Sequence, residues 1–293
     1  MTEPVRKIPA FINASAGSAN DARTALGAGE AGAFDVREIE PRQLEDAVRR
    51  AVAEGATRIL VAGGDGTIAT AAAALLGTKG ELAILPGGTL NHFASDLGIP
   101  DAPPLALALA ANGTARPADA AVVNKRVFLN TSSVGAYVHF VRVREYLEPL
   151  FGYRIASAIA ALRALFQLRL ITVDVEVDGT RRTYRTPIVF IGVGERELRL
   201  PTLGNRIPDG RRGLHVMVVR GRSAARVMAI ALNAVARGIR TVSRTPALDS
   251  FMVDRCSITL RRKSTIAVDG ELVALGTSLE YYLERDALRV VRP

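Results

Sequence analysis

The sequence has no tryptophan, three histidines, one cysteine and an aromatic share of only 5%. Cys256 alone closes no internal disulfide, so no disulfide framework holds the chain and cysteine usage gives no sign of an oxidising compartment. His92, His139 and His215 lie far apart without ligand spacing, which argues against a zinc site. With so few aromatics, Ala, Val, Leu and Ile must supply the core. No uninterrupted apolar run reaches the roughly 18 residues of a membrane span; residues 155–170 come closest, and Arg163 and Arg169 interrupt them. Residues 1–12 carry no apolar stretch of signal-peptide length. A G-K-[ST] phosphate loop and a G-x-S-x-G nucleophile elbow are both missing. So is any helix-turn-helix, RRM-like or aromatic-interleaved basic motif, and no nucleic-acid partner is expected. These absences lead to the expectation of a cytoplasmic chain, peripheral at most on the inner membrane surface.

What is present is ordinary globular material. The 293 residues are 48% hydrophobic and 23% charged, enough for one large domain or two ordinary ones. Lys and Arg number 38 against 29 Asp and Glu, a balance of +9 that attracts polyanions without choosing among them.

The first part alternates strand-like and helix-like stretches. Residues 7–13, 58–62 and 81–85 read as buried strands, and 41–54, 67–76 and 105–111 as helices. This rhythm predicts a doubly wound parallel α/β sheet. Near residues 115–125 the texture changes. Short strands at 121–123 and 127–130 precede one or two helices over 145–167, broken at Pro149 and Gly152. Strands are then expected at 170–177, 182–187, 188–193, 215–219, 257–260, 265–268 and 278–283, with a hairpin at Asp178-Gly179 and one helix over 223–239 with Arg222, Arg226, Arg237 and Arg240 around it. The expected organisation is an α/β domain over residues 1–120 and a β-rich domain over 121–293.

Two glycine turns follow strands in the first part. In the first, Gly63, Gly64, Asp65, Gly66 and Thr67 open a helix, a design that lets backbone N–H groups approach a phosphate. The plain alternative is a tight strand-to-helix turn that binds nothing. An acid inside a phosphate loop repels its ligand unless a cation intervenes, so Asp65 implies Mg²⁺. In the second, Pro86, Gly87, Gly88, Thr89, Leu90, Asn91 and His92 end a neighbouring strand with a hydroxyl and an amide at the tip. Two such turns at one edge of a parallel sheet face one crevice.

On these residues the chain resembles the diacylglycerol kinase catalytic family, which includes bacterial lipid kinases and sphingosine and ceramide kinases. The family's G-G-D-G-T is met at Gly63 to Thr67, and its P-x-G-T-x-N-x-x-A at Pro86, Gly88, Thr89, Asn91 and Ala94. Further likeness lies in residues 13–17 (NASAG), Asp119, residues 130–135 (NTSSVG), Pro208-Asp209-Gly210 and the D-G-E of Asp269, Gly270 and Glu271. Two departures stand out: His92 where the family often has Asp, and Asp96 where a basic residue is common. A third is Arg211-Arg212 directly after Asp209-Gly210.

The resemblance implies an N-terminal α/β nucleotide-binding domain and a C-terminal β-sandwich-like domain with the active site in a cleft between them. It also implies a C-terminal tail over 283–293 that returns to the first domain. It implies ATP and Mg²⁺ as cofactors and a lipid alcohol such as diacylglycerol as acceptor. Asn13, Gly63, Gly64, Asp65, Gly66, Thr67, Gly88, Thr89 and Asn91 would hold the nucleotide, Asp65 and Asp209 would serve metal, Asp269 would act as the base, and Glu271 would share or take that role. Read without the resemblance, Asp269-Gly270 is a plain hairpin turn. The basic groups Arg181-Arg182, Arg211-Arg212 and Arg261-Arg262-Lys263 would draw such an enzyme to an anionic membrane surface. The competing readings are an NAD-kinase-like phosphotransferase and a catalytically silent lipid- or nucleotide-binding module. Cys256 is expected to be an inert, small apolar residue.

Overall fold

A computed structural model describes residues 7–14, 19–28, 32–167, 169–198, 203–220 and 248–293. Residues 15–17 of the NASAG match and the helix expected at 223–239 with its arginines lie outside the described residues. The chain divides into two units, Met1–Ala120 with Glu284–Pro293, and Ala121–Leu283.

The first unit runs β1 (Ile8–Asn13), α1 (Ala19–Ala28), β2 (Phe34–Ile39), a 3-10 turn (Pro41–Gln43), α2 (Leu44–Ala53), β3 (Arg58–Gly63), α3 (Asp65–Leu75), β4 (Glu81–Pro86), α4 (His92–Asp96) and α5 (Pro103–Asn112). Chain passes to the second unit within β5 (Thr114–Val123). That unit continues with β6 (Arg126–Phe128), β7 (Thr131–Gly135), α6 (Ala136–Phe166), β8 (Ile171–Val177), β9 (Thr180–Thr186), β10 (Ile188–Val193), β11 (Arg196–Leu198), β12 (Leu203–Arg206), β13 (Leu214–Val219), β14 (Leu248–Val253), β15 (Arg255–Leu260), β16 (Ser264–Val268) and β17 (Glu271–Leu275). The last strand, β18 (Ser278–Arg292), carries the chain back at Glu284.

In the first unit β2, β1, β3, β4 and the end of β18 lie side by side, every pair parallel. Strand side chains alternate between faces. Ala10, Ile12, Leu60, Ala62, Ala83 and Leu85 meet Ala22 and Leu26 of α1 and Leu107 and Ala110 of α5. The alternate residues Phe11, Ile59, Val61, Leu82 and Ile84 are also buried, on the side where α2 and α3 pack. Helices on both faces make the sheet doubly wound, as the alternation predicts. The edge strand β2 escapes sequence reading because one face of FDVREI meets solvent and charge interrupts its apolar pattern.

The second unit is a sandwich. One antiparallel sheet runs β14-β13-β10-β7-β16-β17, and the other contains the start of β18 with β15, β8 and β9. Val134, Val189, Ile191 and Val216 from the first sheet share a core with Val173, Val175, Ile258 and Leu279 from the second. The Asp178-Gly179 hairpin forms as expected, with φ of 49° and 72° between paired Val177 and Thr180.

Several boundaries differ from the sequence reading. Helix α6 begins at Ala136, not near 145, although β-branched and aromatic residues fill its first turns. Burial of Val138 and Val141 against Ala267 and Leu272 overrides that local preference. Gly152 breaks the helix at φ 72°, ψ 164°, where a break is anticipated. Strands β11, β12, β14 and β17 were not expected, and β18 extends to Arg292 rather than ending near 283.

Candidate active site

Both glycine turns lie at the C-terminal ends of adjacent parallel strands in the first unit. The Gly87 N–H donates to the Gly63 carbonyl at 3.0 Å, extending the β3–β4 ladder into the turns. Beyond that point the backbones nearly touch. A Cβ added to Gly88 would lie 2.7 Å from the Gly64 Cα and 3.0 Å from Asn91 Oδ1, while one added to Gly64 would lie 3.2 Å from the Gly88 Cα. These two glycines therefore allow loop to meet loop.

Asp65 is the first residue of α3, with Gly64 as its extended N-cap. Its carboxylate accepts the His92 and Phe93 N–H groups, each at 3.1 Å. These are donors of the first turn of α4, which have no partner inside the helix. Asp65 thus supplies from another loop the cap that Asn91 does not. Asn91 sits at φ 49°, ψ 42°, and its Oδ1 accepts the Gly88 N–H at 2.7 Å. The position where the family often carries Asp is His92, and its contribution here comes from its backbone.

Asn13, at the end of β1, donates through Nδ2 to Thr67 Oγ1 at 2.8 Å. The fold thereby unites two candidates 54 positions apart. Gly66 and Thr67 occupy the first turn of α3, whose N–H groups are aimed out of the helix with its positive dipole end. Thr89 stands exposed at the tip of the second turn. Six candidates thus gather at one strand-end region: Asn13, Gly64, Asp65, Thr67, Gly88 and Asn91. The N–H donors, the amide and the hydroxyl suit nucleotide phosphates.

The remaining candidates belong to the second unit. Asp269 and Gly270 form a two-residue hairpin between paired Val268 and Glu271, with φ of 46° and 83°. The Asp269 carboxylate accepts the N–H groups of Leu129, Asn130 and Thr131 at 2.8, 2.9 and 2.9 Å, and its own N–H donates to the Thr131 carbonyl at 2.8 Å. A bare hairpin turn needs none of these contacts. They hold the carboxylate in one orientation against a backbone bend 138 to 140 residues away. Glu271, next to it in the motif, turns away into an exposed ion pair with Arg126 at 2.6 Å.

Asp209 is exposed in its turn, where the Gly210 N–H donates to the Ile207 carbonyl at 3.0 Å. Among the described residues no group of three or more His, Cys, Asp or Glu gathers as a metal site. Cys256 is buried, which pushes its thiol up to about 12 and leaves it protonated and inert.

Residues 7–123 match the Diacylglycerol kinase catalytic domain. The match contains Asn13, both glycine turns and Asp65. Among similar proteins, a "Probable lipid kinase YegS-like" of Cronobacter sakazakii is 43% identical over 152 residues, half of each chain. Another of that name from Pseudomonas aeruginosa is 48% identical over 90 residues, 30% of each chain. The matched regions span half or less of the length of these curated relatives. The crystal structure of a diacylglycerol kinase from Bacillus anthracis str. Sterne shares the fold, with a TM-score of 0.70 at 21% identity over 100% of this chain and 98% of that one. A second structure from that organism reaches 0.76 at 22% identity.

Sequence reasoning missed the backbone donors. The amides of His92 and Phe93 that Asp65 holds, and those of Leu129, Asn130 and Thr131 that Asp269 holds, carry no side-chain signature. The family's N-T-S-S-V-G likeness beginning at Asn130 was the available clue to the second group.

Proposed function

We propose that this chain is an ATP- and Mg²⁺-dependent lipid kinase that transfers the γ-phosphoryl group to the hydroxyl of a lipid alcohol such as diacylglycerol. The observation that carries the proposal is the interlocking of the two glycine turns through Gly64, Gly88 and Asp65, at the strand-end edge of a parallel sheet. The match of residues 7–123 to the diacylglycerol kinase catalytic domain and the relatives' names support the reaction class.

Phosphoryl transfer depends chiefly on positioning and charge stabilisation. The first-turn N–H groups of α3 and the Asn13–Thr67 pair present donors to nucleotide phosphates. Thr89 and Asn91 complete the cradle from the second turn. A carboxylate that accepts two N–H bonds still has lone pairs for a metal-bound water, so Asp65 fits a cation-organising role beside its capping one. Mg²⁺, when bound, neutralises charge on the phosphates. Asp209 is the second metal candidate. Asp269, oriented by its three amides, accepts the proton of the attacking lipid hydroxyl. The Arg126 pair makes Glu271 a supporting acid rather than the base. The basic pairs of the second unit add attraction to an anionic lipid surface, where such an acceptor resides.

The test is incubation of purified protein with γ-labelled ATP, Mg²⁺ and a panel of lipid alcohols in mixed micelles, beside Asp269→Asn and Asp65→Asn. The expected result is a labelled lipid with the wild type and none with Asp269→Asn. ATP bound by the wild type with no lipid labelled would refute the kinase reading. Asp209→Ala tests the second metal role. A Mg²⁺-dependent rise in melting temperature that survives this change removes Asp209 from the metal site.

A further inference from the structure

Five of the nine large apolar side chains that stand exposed among the described residues lie on one helix: Tyr146, Leu150, Phe151, Ile155 and Leu162 of α6. Gly152 breaks this helix, and Arg144 lies over the Tyr153 ring at 5.5 Å across the break. Beyond the break the helix is sided the wrong way for water. Among the described residues of this stretch, the buried ones are small, Ala156 and Ala160. The opposite face exposes Ile155, Ala158 and Leu162 at the i, i+3, i+7 spacing of a single stripe. Ile155 and Leu162 are 56% and 57% exposed.

The charges around the stripe say what would cover it. At about 100° per residue, Arg154 falls on one flank and Arg163 on the other. Both are exposed, and neither is in an ion pair among the described residues. Residues 153–170 contain Arg154, Arg163 and Arg169 and no acid. An apolar stripe flanked by unopposed arginines asks for an apolar medium with an anionic border. Arg stems can lie along the apolar surface while the guanidinium groups reach that border. An anionic bilayer offers both at once, and amphipathic helices of this composition lie in its interface. No helix of the described residues is long and apolar enough to cross a membrane.

We propose that the part of α6 beyond Gly152 is a membrane-docking helix. It lays Ile155 and Leu162 into the headgroup–acyl boundary of an anionic bilayer, with Arg154 and Arg163 against lipid phosphates. The inference deepens the lipid-kinase reading and rests on it for the reason a bilayer is visited; the docking surface itself rests on the helix.

The experiment is co-sedimentation of the full chain with vesicles of phosphatidylcholine alone and of phosphatidylcholine with phosphatidylglycerol. It compares wild type, Ile155→Ser/Leu162→Ser and Arg154→Glu/Arg163→Glu, with folding checked by circular dichroism. These side chains are exposed, so the fold should tolerate the changes. The wild type is expected to bind the anionic vesicles and to weaken with salt. The apolar double variant should lose roughly tenfold or more in partitioning, and the charge-reversed one should lose its preference for anionic lipid. Wild type that ignores anionic vesicles, or variants that bind like wild type, would overturn the proposal. So would a wild-type dimer that Ile155→Ser/Leu162→Ser converts to monomer with vesicle binding intact, since the stripe would then cover a second copy. Each protein is also assayed on a water-soluble short-chain lipid alcohol. Variants that lose vesicle binding yet phosphorylate this acceptor like wild type support docking. Wild type that binds vesicles through α6 but phosphorylates nothing also supports docking, and refutes only the kinase reading.

Discussion

Gly88→Ala probes the contact between the two glycine turns most directly. The added methyl would lie 2.7 Å from the Gly64 Cα, a backbone atom with no rotamer to escape into. Carbon atoms rest at about 3.5–4.0 Å, so the turns must separate by about 1 Å. Forcing an extra methyl group into a packed site costs about 1–3 kcal/mol. In a protein of this size that is about 2–4 °C of melting temperature per kcal/mol. The catalytic cost should be larger, because a misplacement of about 1 Å among positioning groups can remove about 100-fold in rate. The assay is phosphoryl transfer from labelled ATP, with kcat and KM for ATP separated, beside thermal melting. Gly64→Ala should be milder, since its Cβ would meet the Gly88 Cα at 3.2 Å. Gly276→Ala, with nothing within 4 Å, should match wild type. A Gly88→Ala protein with wild-type melting and turnover, or one no worse than Gly276→Ala, would refute the argument.

Asp65→Ala removes the acceptor for two first-turn amides of α4 and should cost about 1–2 kcal/mol of stability, read as a lower urea midpoint. Asp269→Asn should lower kcat by about 10²–10⁴ if the carboxylate is the base, with ATP affinity measured by calorimetry little changed. Glu271→Gln should cost under about 1 kcal/mol and far less activity than Asp269→Asn, since the Arg126 pair is exposed on both sides. His215 is held neutral by burial, and its Nδ1 accepts the Arg196 N–H at 2.9 Å, which a protonated ring cannot do. Its folded pKa lies below the ordinary 6.5, so its stabilising contribution is whole above that value. As pH falls below 6.5 toward the lowered folded value, that contribution is lost. Urea midpoints between pH 8 and pH 5 should therefore drop less in His215→Asn than in wild type.

The parallel core of the first unit was legible because its strands are buried on both faces, and RILVA and ELAIL read as unbroken apolar runs. The Asp178-Gly179 hairpin was legible because its turn demands positive φ at both positions. The extra length of α6 was not. Residues from Ala136 to Arg144 favour strand locally and become helix through burial of Val138 and Val141.

The sequence by itself determined the α/β-then-β order, the two glycine turns and the identity of the acids, because strand burial, turn chemistry and residue type are local properties. Tertiary structure alone decided what those residues touch. Gly64 and Gly88 are glycines at least in part to face each other, Asp65 caps a helix 27 residues away, and Asp269 lies in a bed of three amides while Glu271 does not. Backbone amides look alike in every sequence, and only the folded chain brings particular ones to a particular carboxylate.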